Sequence, residues 1–371
     1  MWQTIDAEPD LDNLKAKWSD AGTLVTRRVS DVEAKPVCWL WPTRIPRGKL
    51  TIIAGDPGLG KSQITASVAA VVTRGGRWPV DRQDSDAGDA LFLSAEDDTA
   101  DTLRPRLEAA GADLNRVHVI EGVIAGHTGE GTQRNRLFSL QSDLESLGRT
   151  LVKLREVAAV VIDPISAYLG EADSHKNAEV RSLLAPLGEL AALHNTAIIG
   201  VSHLNKAAGT QAMMRVSGSL AFVAAARAAY LVAADPQERS RRVFLPLKNN
   251  LGPDAMGLAY RIEGVTVPSA AGPLDTSRIA WESDAITMSV DEAVQSATPQ
   301  KTSELEEAKG WLERTLADGL MTAKDVNELA TRDGISEKTL RRAREALGIK
   351  PAKRSMKGPW SWSLPKLPTD A

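Results

Sequence analysis

The sequence predicts an α/β domain on a mainly parallel β-sheet, followed by a small helical domain. Three observations lead there. Short apolar, β-rich runs alternate with helix-period segments over about 230 residues. Several runs are continuous apolar blocks of four or five residues, the pattern of strands buried on both faces. After residue 301 the strand signal gives way to three short helical pieces.

Taken in order, residues 1–35 are polar and weakly patterned and read as an N-terminal arm with a short helix at 10–19. An α/β domain is expected over 36–289. Its strands are read at Leu50-Thr-Ile-Ile-Ala, Ala90-Leu-Phe-Leu-Ser, Val117-His-Val-Ile, Ala159-Val-Val-Ile-Asp, Thr196-Ala-Ile-Ile-Gly-Val-Ser and Arg242-Val-Phe-Leu-Pro-Leu. Helices are expected at 62–74, 99–110, 139–155, 177–194 and 219–229. The Gly-rich stretch 122–136 and the stretch 204–217 read as long surface loops, which are often functional. Residues 264–300 are rich in Ser, Thr, Ala, Gly and Pro, and 290–301 reads as a linker. Helical periodicity returns at 302–318, 322–332 and 336–347, within a C-terminal domain over 302–371.

Composition narrows the classes. A formal charge of −3 argues against a uniformly basic nucleic-acid coat and against a highly acidic disordered chain. That total hides a split. Residues 338–371 hold nine basic and two acidic groups, a net +7, so the remainder carries −10. One cysteine, Cys38, excludes an intramolecular disulfide and fits a cytoplasmic setting. The five histidines lack ligand spacing, the N-terminus lacks a signal-peptide pattern, and no apolar run reaches membrane-span length.

The strongest motif is Gly55-Asp56-Pro57-Gly58-Leu59-Gly60-Lys61-Ser62, which fits G-x-x-x-x-G-K-[ST] between a strand run and a helix run. The glycines let successive N–H groups curl inward onto phosphate oxygens, and the helix N-terminus adds positive potential. Nucleotide contacts are expected over Gly55–Ser62 and at Gln63, with Lys61 on the β- and γ-phosphates of ATP and Ser62 on Mg²⁺. Asp163 ends an apolar strand, the pattern of a carboxylate holding the Mg²⁺ shell; a cap or turn Asp is the bland alternative. Glu96 ends another strand, placed to orient the attacking water, while Asp97 and Asp98 read as helix N-caps. His203 or Ser202 ends a third, placed to sense the γ-phosphate; a buried structural histidine is the alternative.

Together with Trp39-Leu40-Trp41-Pro42, Ser94-Ala95-Glu96-Asp97-Asp98, Val161-Ile162-Asp163-Pro164, Val201-Ser202-His203-Leu204-Asn205-Lys206, Gly218-Ser219…Arg227 and Lys248-Asn249-Asn250-Leu251-Gly252, these motifs make residues 30–265 resemble RecA-like ATPases. The closer resemblance is to hexameric replicative helicases of the plasmid RepA type and their AAA-domain relatives. It implies a homo-hexamer or other ring with ATP between subunits and single-stranded DNA in the channel. It implies Glu96 as catalytic glutamate, Asp163 as the Mg²⁺-linked aspartate and His203 as the coupling residue. Arg227 would be the arginine finger reaching a neighbour's ATP, with Lys248 and Asn250 near that γ-phosphate. Asn250 departs from a Lys-x-Arg pattern of other ring helicases, which argues against a second finger there. Arg215 is a second candidate, as finger or DNA contact. Lys206 and Arg215, in a loop without aromatics, would grip the DNA backbone.

The C-terminal pieces read as a helix-turn-helix. Thr322 and Ser336 are expected N-caps and Gly348 a C′ glycine. The second helix carries Lys338, Arg341, Arg342 and Arg344, followed by Lys353 and Arg354 in an expected hairpin. Trp360-Ser361-Trp362 then alternates as a strand whose tryptophans pack onto the core, completing a winged helix that binds duplex DNA. Two functions follow: an ATP-hydrolysing DNA motor, or an ATP-switched DNA-binding regulator or accessory protein without unwinding activity.

Overall fold

The computed structural model describes residues 26–127, 133–170, 172, 176–203, 220–238, 240–253, 255–270, 272–297, 301–317, 319–353 and 358–365. The chain divides into two compact units, Met1–Val37 and Cys38–Ala371. In the first, Val29–Asp31 form one 3-10 turn; the helix expected at 10–19 lies outside the described residues.

The second unit opens with a short antiparallel pair, β1 (Trp39–Trp41) and β2 (Ile45–Pro46). Next come β3 (Leu50–Gly55), α1 (Lys61–Arg74), β4 (Asp89–Ser94), a π-helical turn (Thr99–Leu103) running into α2 (Arg104–Ala110), and β5 (Val117–Val119). A hairpin of β6 (Val123–His127) and β7 (Gln133–Arg136) precedes α3 (Leu144–Leu154), β8 (Val157–Asp163), α4 (Asn177–His194) and β9 (Ala197–His203). The sheet is completed by α5 (Leu220–Ala225), β10 (Ala228–Ala234), β11 (Arg241–Asn249), β12 (Gly257–Val267) and β13 (Leu274–Ile286).

Among the described residues nine strands form one sheet, in the order β13-β12-β11-β10-β3-β9-β8-β4-β5. The pairings from β10 to β5 are parallel and those from β10 to β13 antiparallel. Side chains alternate between two cores, as the two-residue strand period requires. Ile53, Phe92, Val161 and Ile199 join α1 and α2 on one face. Ile52, Leu91, Val160 and Ile198 join α3, α4 and α5 on the other. This double cover explains why the expected strands read as unbroken apolar runs.

Four expectations are corrected. Residues 219–229 do not form one helix: the helix stops at Ala225, and Ala228–Ala234 is a strand between β3 and β11. Its alanines favour helix locally, but pairing on both edges and burial on both faces override that propensity. The Gly-rich stretch 122–136 contains the β6–β7 hairpin. Much of 264–300 is the long β12–β13 ribbon, hidden from composition because its residues here are mostly half-buried or exposed, at an edge of the sheet. Within the expected linker, Val290–Ala297 form α6. A capping box starts it, with Ser289 N–H donating to Glu292 at 2.7 Å and Glu292 N–H to Ser289 Oγ at 3.2 Å. Ala293 is buried with Leu231, Val243 and Leu245, so this segment packs rather than links.

The C-terminal helices are α7 (Lys301–Thr315), α8 (Ala323–Arg332) and α9 (Glu337–Ala346), with a small sheet of β14 (Met321–Thr322), β15 (Ala352–Lys353) and β16 (Trp360–Trp362) in the order β14-β16-β15. Thr322 Oγ1 accepts from Asp325 N–H and Ser336 Oγ from Thr339 N–H, each at 3.2 Å, as N-caps. Leu312, Val326, Leu340, Ile349 and Trp362 form a separate core.

Candidate nucleotide site and the opposite end of the sheet

Four parallel strands, β3, β9, β8 and β4, end side by side. Their register places Gly55 beside His203 and Ser94 beside Asp163. The residues chosen as phosphate loop, γ-phosphate sensor, Mg²⁺ carboxylate and water-orienting carboxylate therefore share one edge.

Gly58 and Gly60 adopt φ of 76° and 89°, a conformation open mainly to glycine. A Cβ on Gly60 would lie 2.8 Å from Ile262 Cδ1, whereas one on Gly58 would meet nothing within 4 Å. The loop is braced at Gly60 and has free space at Gly58. Tyr260 adds to the brace, its hydroxyl donating to Leu59 O at 2.7 Å. Neither brace residue was a sequence candidate. The signal was there, in the alternation of Leu258, Tyr260 and Ile262.

Lys61 begins α1 and is only 5% exposed. Its ammonium donates to the carbonyls of Gly55 and Asp56, each at 2.9 Å, and lies 3.2 Å from His203 Nδ1. Burial pulls its pKa below the ordinary lysine value, against the opposing fields of Asp163, Asp56 and Glu96. Asp163 is 8% exposed. Burial pushes its pKa up, and a hydrogen bond from Ser62 opposes that shift. His203 Nε2 lies 3.4 Å from Glu96 Oε1, so the imidazole spans from the lysine to the glutamate. Glu96 is 60% exposed and open to water. Asp98 caps the following turn, accepting from Ala100 N–H at 2.7 Å and Asp101 N–H at 3.1 Å, while Asp97 pairs with Arg106. Gln63 commits its side chain to β13, Nε2 donating to Ser277 Oγ at 2.8 Å. Its Oε1 is buried and has no hydrogen-bond partner among the described residues.

The donor set suits Mg²⁺. Ser62 and Asp163 offer hard oxygen ligands already in contact, and the carboxylate, whose pKa burial raises, is one that a cation would favour in its charged form. The free space at Gly58 and the inward lysine suit a polyphosphate.

Arg227 is elsewhere. Its N–H donates to Leu50 O at 3.0 Å, at the start of β3, whereas the loop leaves the end of that strand. Six strand residues separate the two, about 16 Å. Lys248 and Asn250 join Arg227 there, and within the chain the Lys248 ammonium has a structural use. It donates to the carbonyls of Val223 (3.1 Å), Ala224 (3.1 Å) and Ala226 (2.7 Å), using all three N–H groups. These are the orphan acceptors at the end of α5, so Lys248 caps that helix. Asn250 N–H donates to Arg227 O at 3.1 Å and fixes the same turn.

Of the expected DNA contacts, Lys206, Arg215 and Arg354 lie outside the described residues. Lys338, Arg341 and Arg342 are exposed on α9. Arg344 is corrected: its guanidinium lies 5.2 Å over the Trp362 ring and its side chain is 23% exposed, so it packs on the C-terminal core. Trp360 is corrected too. It is 55% exposed, with the Lys353 ammonium 4.9 Å over its ring, and only Trp362 enters the core.

A glycine loop, an inward lysine and a Ser–Asp oxygen pair at the strand ends of a parallel sheet define a P-loop nucleoside triphosphatase. A family model for an AAA domain matches residues 16–209, more than half of the sequence, and the chain belongs to that family. Membership supports ATPase activity and nucleotide binding, with the ATP and Mg²⁺ that such domains generally bind. The nine-stranded, mainly parallel sheet is consistent with a RecA-like AAA domain. The match ends before β10, leaving Arg227 and Lys248 beyond it. No curated protein shows significant similarity to the chain. No helix among the described residues is long and apolar enough to cross a membrane.

Proposed function

We propose that the protein is an ATP-hydrolysing DNA motor that works as a ring, of the replicative-helicase type. The observation that carries this reading is the separation of Arg227 from its own phosphate loop by the length of β3. An arginine so placed serves hydrolysis only on a nucleotide held by another subunit, which requires an assembly with repeating interfaces.

In this reading Lys61 and the loop N–H groups hold the polyphosphate. Ser62 and Asp163 hold Mg²⁺, which when bound neutralises phosphate charge. Glu96 accepts a proton from the attacking water and orients it, and His203 links that carboxylate to Lys61. Arg227 of one subunit stabilises charge on the transferring group held by the next. The C-terminal helices and their small sheet serve as a winged helix: Lys338, Arg341 and Arg342 line one exposed helix, and Lys350 and Lys353 extend the basic surface.

That basic helix also favours a second reading, an ATP-switched DNA-binding regulator without translocation. Strand displacement on forked DNA of both polarities separates them. Unwinding driven by ATP supports the motor, whereas robust ATPase with no unwinding or translocation on any substrate overturns it in favour of the switch.

A further inference from the structure

We propose that Arg181 and Arg227 form a two-arginine clamp for the terminal phosphates of an ATP bound at the glycine loop of a second copy of this chain. This rests on the reading of Arg227 as a group acting between subunits. It adds Arg181, on the second turn of α4, which no motif singles out.

The two arginines line one cleft of about 570 Å³ at the end of the sheet opposite the glycine loop, with Lys49, Lys248 and Glu189. Its remaining walls include the small residues Ala185, Gly188 and Ala224. Neither arginine makes a side-chain hydrogen bond or ion pair among the described residues, and Glu189 lies beyond ion-pair distance of both. Both are exposed. Lys248 sits in their joint field: burial first, then Arg227 and Arg181, push its pKa below the ordinary lysine value. The four cations of the lining outnumber its one carboxylate, Glu189, which pairs with neither arginine; like charges so gathered repel one another, and an anion relieves that cost.

The chemistry selects phosphate. Lys248 has spent its three donors on the end of α5, so the cationic donors left to the cleft are the Lys49 ammonium and the planar forks of the two arginines. Such forks match phosphate oxygens in pairs of parallel hydrogen bonds. The chain's own ATP is excluded by distance, since β3 holds this end and the glycine loop about 16 Å apart. The complementary surface is the loop end of another copy. There Asp56, Glu96 and Asp163 already surround Lys61 with negative charge, and a triphosphate adds more.

Complementation between full-length variants tests the clamp. Arg181→Ala is expected to lower kcat about tenfold, with KM for ATP and the unfolding temperature little changed. Arg181→Lys, which keeps the charge, should recover part of the loss. Lys61→Ala is inactive by itself but keeps both arginines, so mixing it with Arg181→Ala should give hydrolysis above the sum of the separate rates. A wild-type kcat for Arg181→Ala overturns the clamp. So does a loss that Lys61→Ala fails to rescue while it rescues Arg227→Ala. If neither arginine variant is rescued, the between-subunit reading falls and takes the clamp with it. If Arg181→Ala keeps its kcat but loses affinity for a fluorescent single-stranded oligonucleotide, the cleft serves nucleic-acid phosphates and the proposal is wrong.

Discussion

The two ends of the central sheet hold charge in opposite ways. At the loop end Lys61 and Asp163 are buried and already engaged, the lysine with two carbonyls and the aspartate with Ser62. At the other end Arg181 and Arg227 are exposed and have no side-chain partner among the described residues. A buried charge needs its partners within the same fold, because desolvation without them is costly. An exposed guanidinium carries no such cost and can wait for a partner that arrives from outside. The loop end thus satisfies its charges within the fold, whereas the arginine end leaves two guanidinium groups unpartnered among the described residues.

Lys61→Ala and Arg227→Ala probe that difference with the largest effects. Both are expected to lower ATP hydrolysis by about 10³-fold or more. They should part on binding. Titration with a fluorescent ATP analogue should show affinity lost in Lys61→Ala and kept in Arg227→Ala. Equal loss in both would mean that the two ends serve one nucleotide, against the separation along β3. Glu96→Gln comes next. Binding should hold while hydrolysis falls about 10²–10⁴-fold, the usual worth of a positioned general base. Near-normal turnover would move that role to another carboxylate.

Asp163→Asn should separate stability from activity. Burial raises the Asp163 pKa in the folded chain, so the folded state keeps its proton to higher pH than the unfolded state does. Stability from this group is therefore lost as pH rises through the raised value. Without Mg²⁺ and nucleotide at neutral pH, the Asn variant should unfold about 2–4 °C higher, for roughly 1 kcal/mol. The gain should shrink as the pH falls towards the ordinary carboxylate range. Its Mg²⁺-dependent hydrolysis should be lost. A lower melting temperature for Asp163→Asn would show that the Ser62 bond outweighs burial.

Lys248→Met tests the support beneath Arg227. Removing three hydrogen bonds from the end of α5 should cost about 1–3 kcal/mol and lower kcat about tenfold by loosening the Arg227 turn. ATP affinity at the loop end should not change. A kcat loss as large as that of Arg227→Ala, with stability unaltered, would return Lys248 to direct phosphate contact.

What the sequence makes legible follows the same division. The loop end is local: each functional residue directly follows an apolar strand run, so strand, turn and chemistry are read together at Gly55–Ser62, Asp163 and His203. The arginine end is not. Arg227 was marked by motif order, but its turn lies between a short helix and a strand that an Ala-rich stretch disguises as one helix. Lys248 carried a motif, yet its use as a helix cap depends on three carbonyls more than twenty residues away. Arg181 follows no strand and sits in an ordinary helix; only packing brings it to the cleft. The brace at Tyr260 and Ile262 was lost for a similar reason. The period of two was present in Leu258, Tyr260 and Ile262, but the glycine loop that they support lies about two hundred residues earlier in the chain.

The smallest effects lie in the C-terminal helices, where the same contrast sorts two neighbouring cations. Arg344 is packed over Trp362 and close to Glu345, whereas Arg342 is exposed and has no side-chain partner among the described residues. Arg342→Ala should leave the melting temperature unchanged. It should lower the salt dependence of duplex-DNA binding by about one unit of slope, as loss of a single phosphate contact does. Arg344→Ala should do the reverse, costing about 1 kcal/mol of stability through the lost ring contact and leaving the slope alone. Fluorescence anisotropy across a salt series and thermal melts of both variants decide it. A slope change in Arg344→Ala at constant stability would mean that the guanidinium leaves its tryptophan to meet DNA, and that a packed cation here is not a committed one.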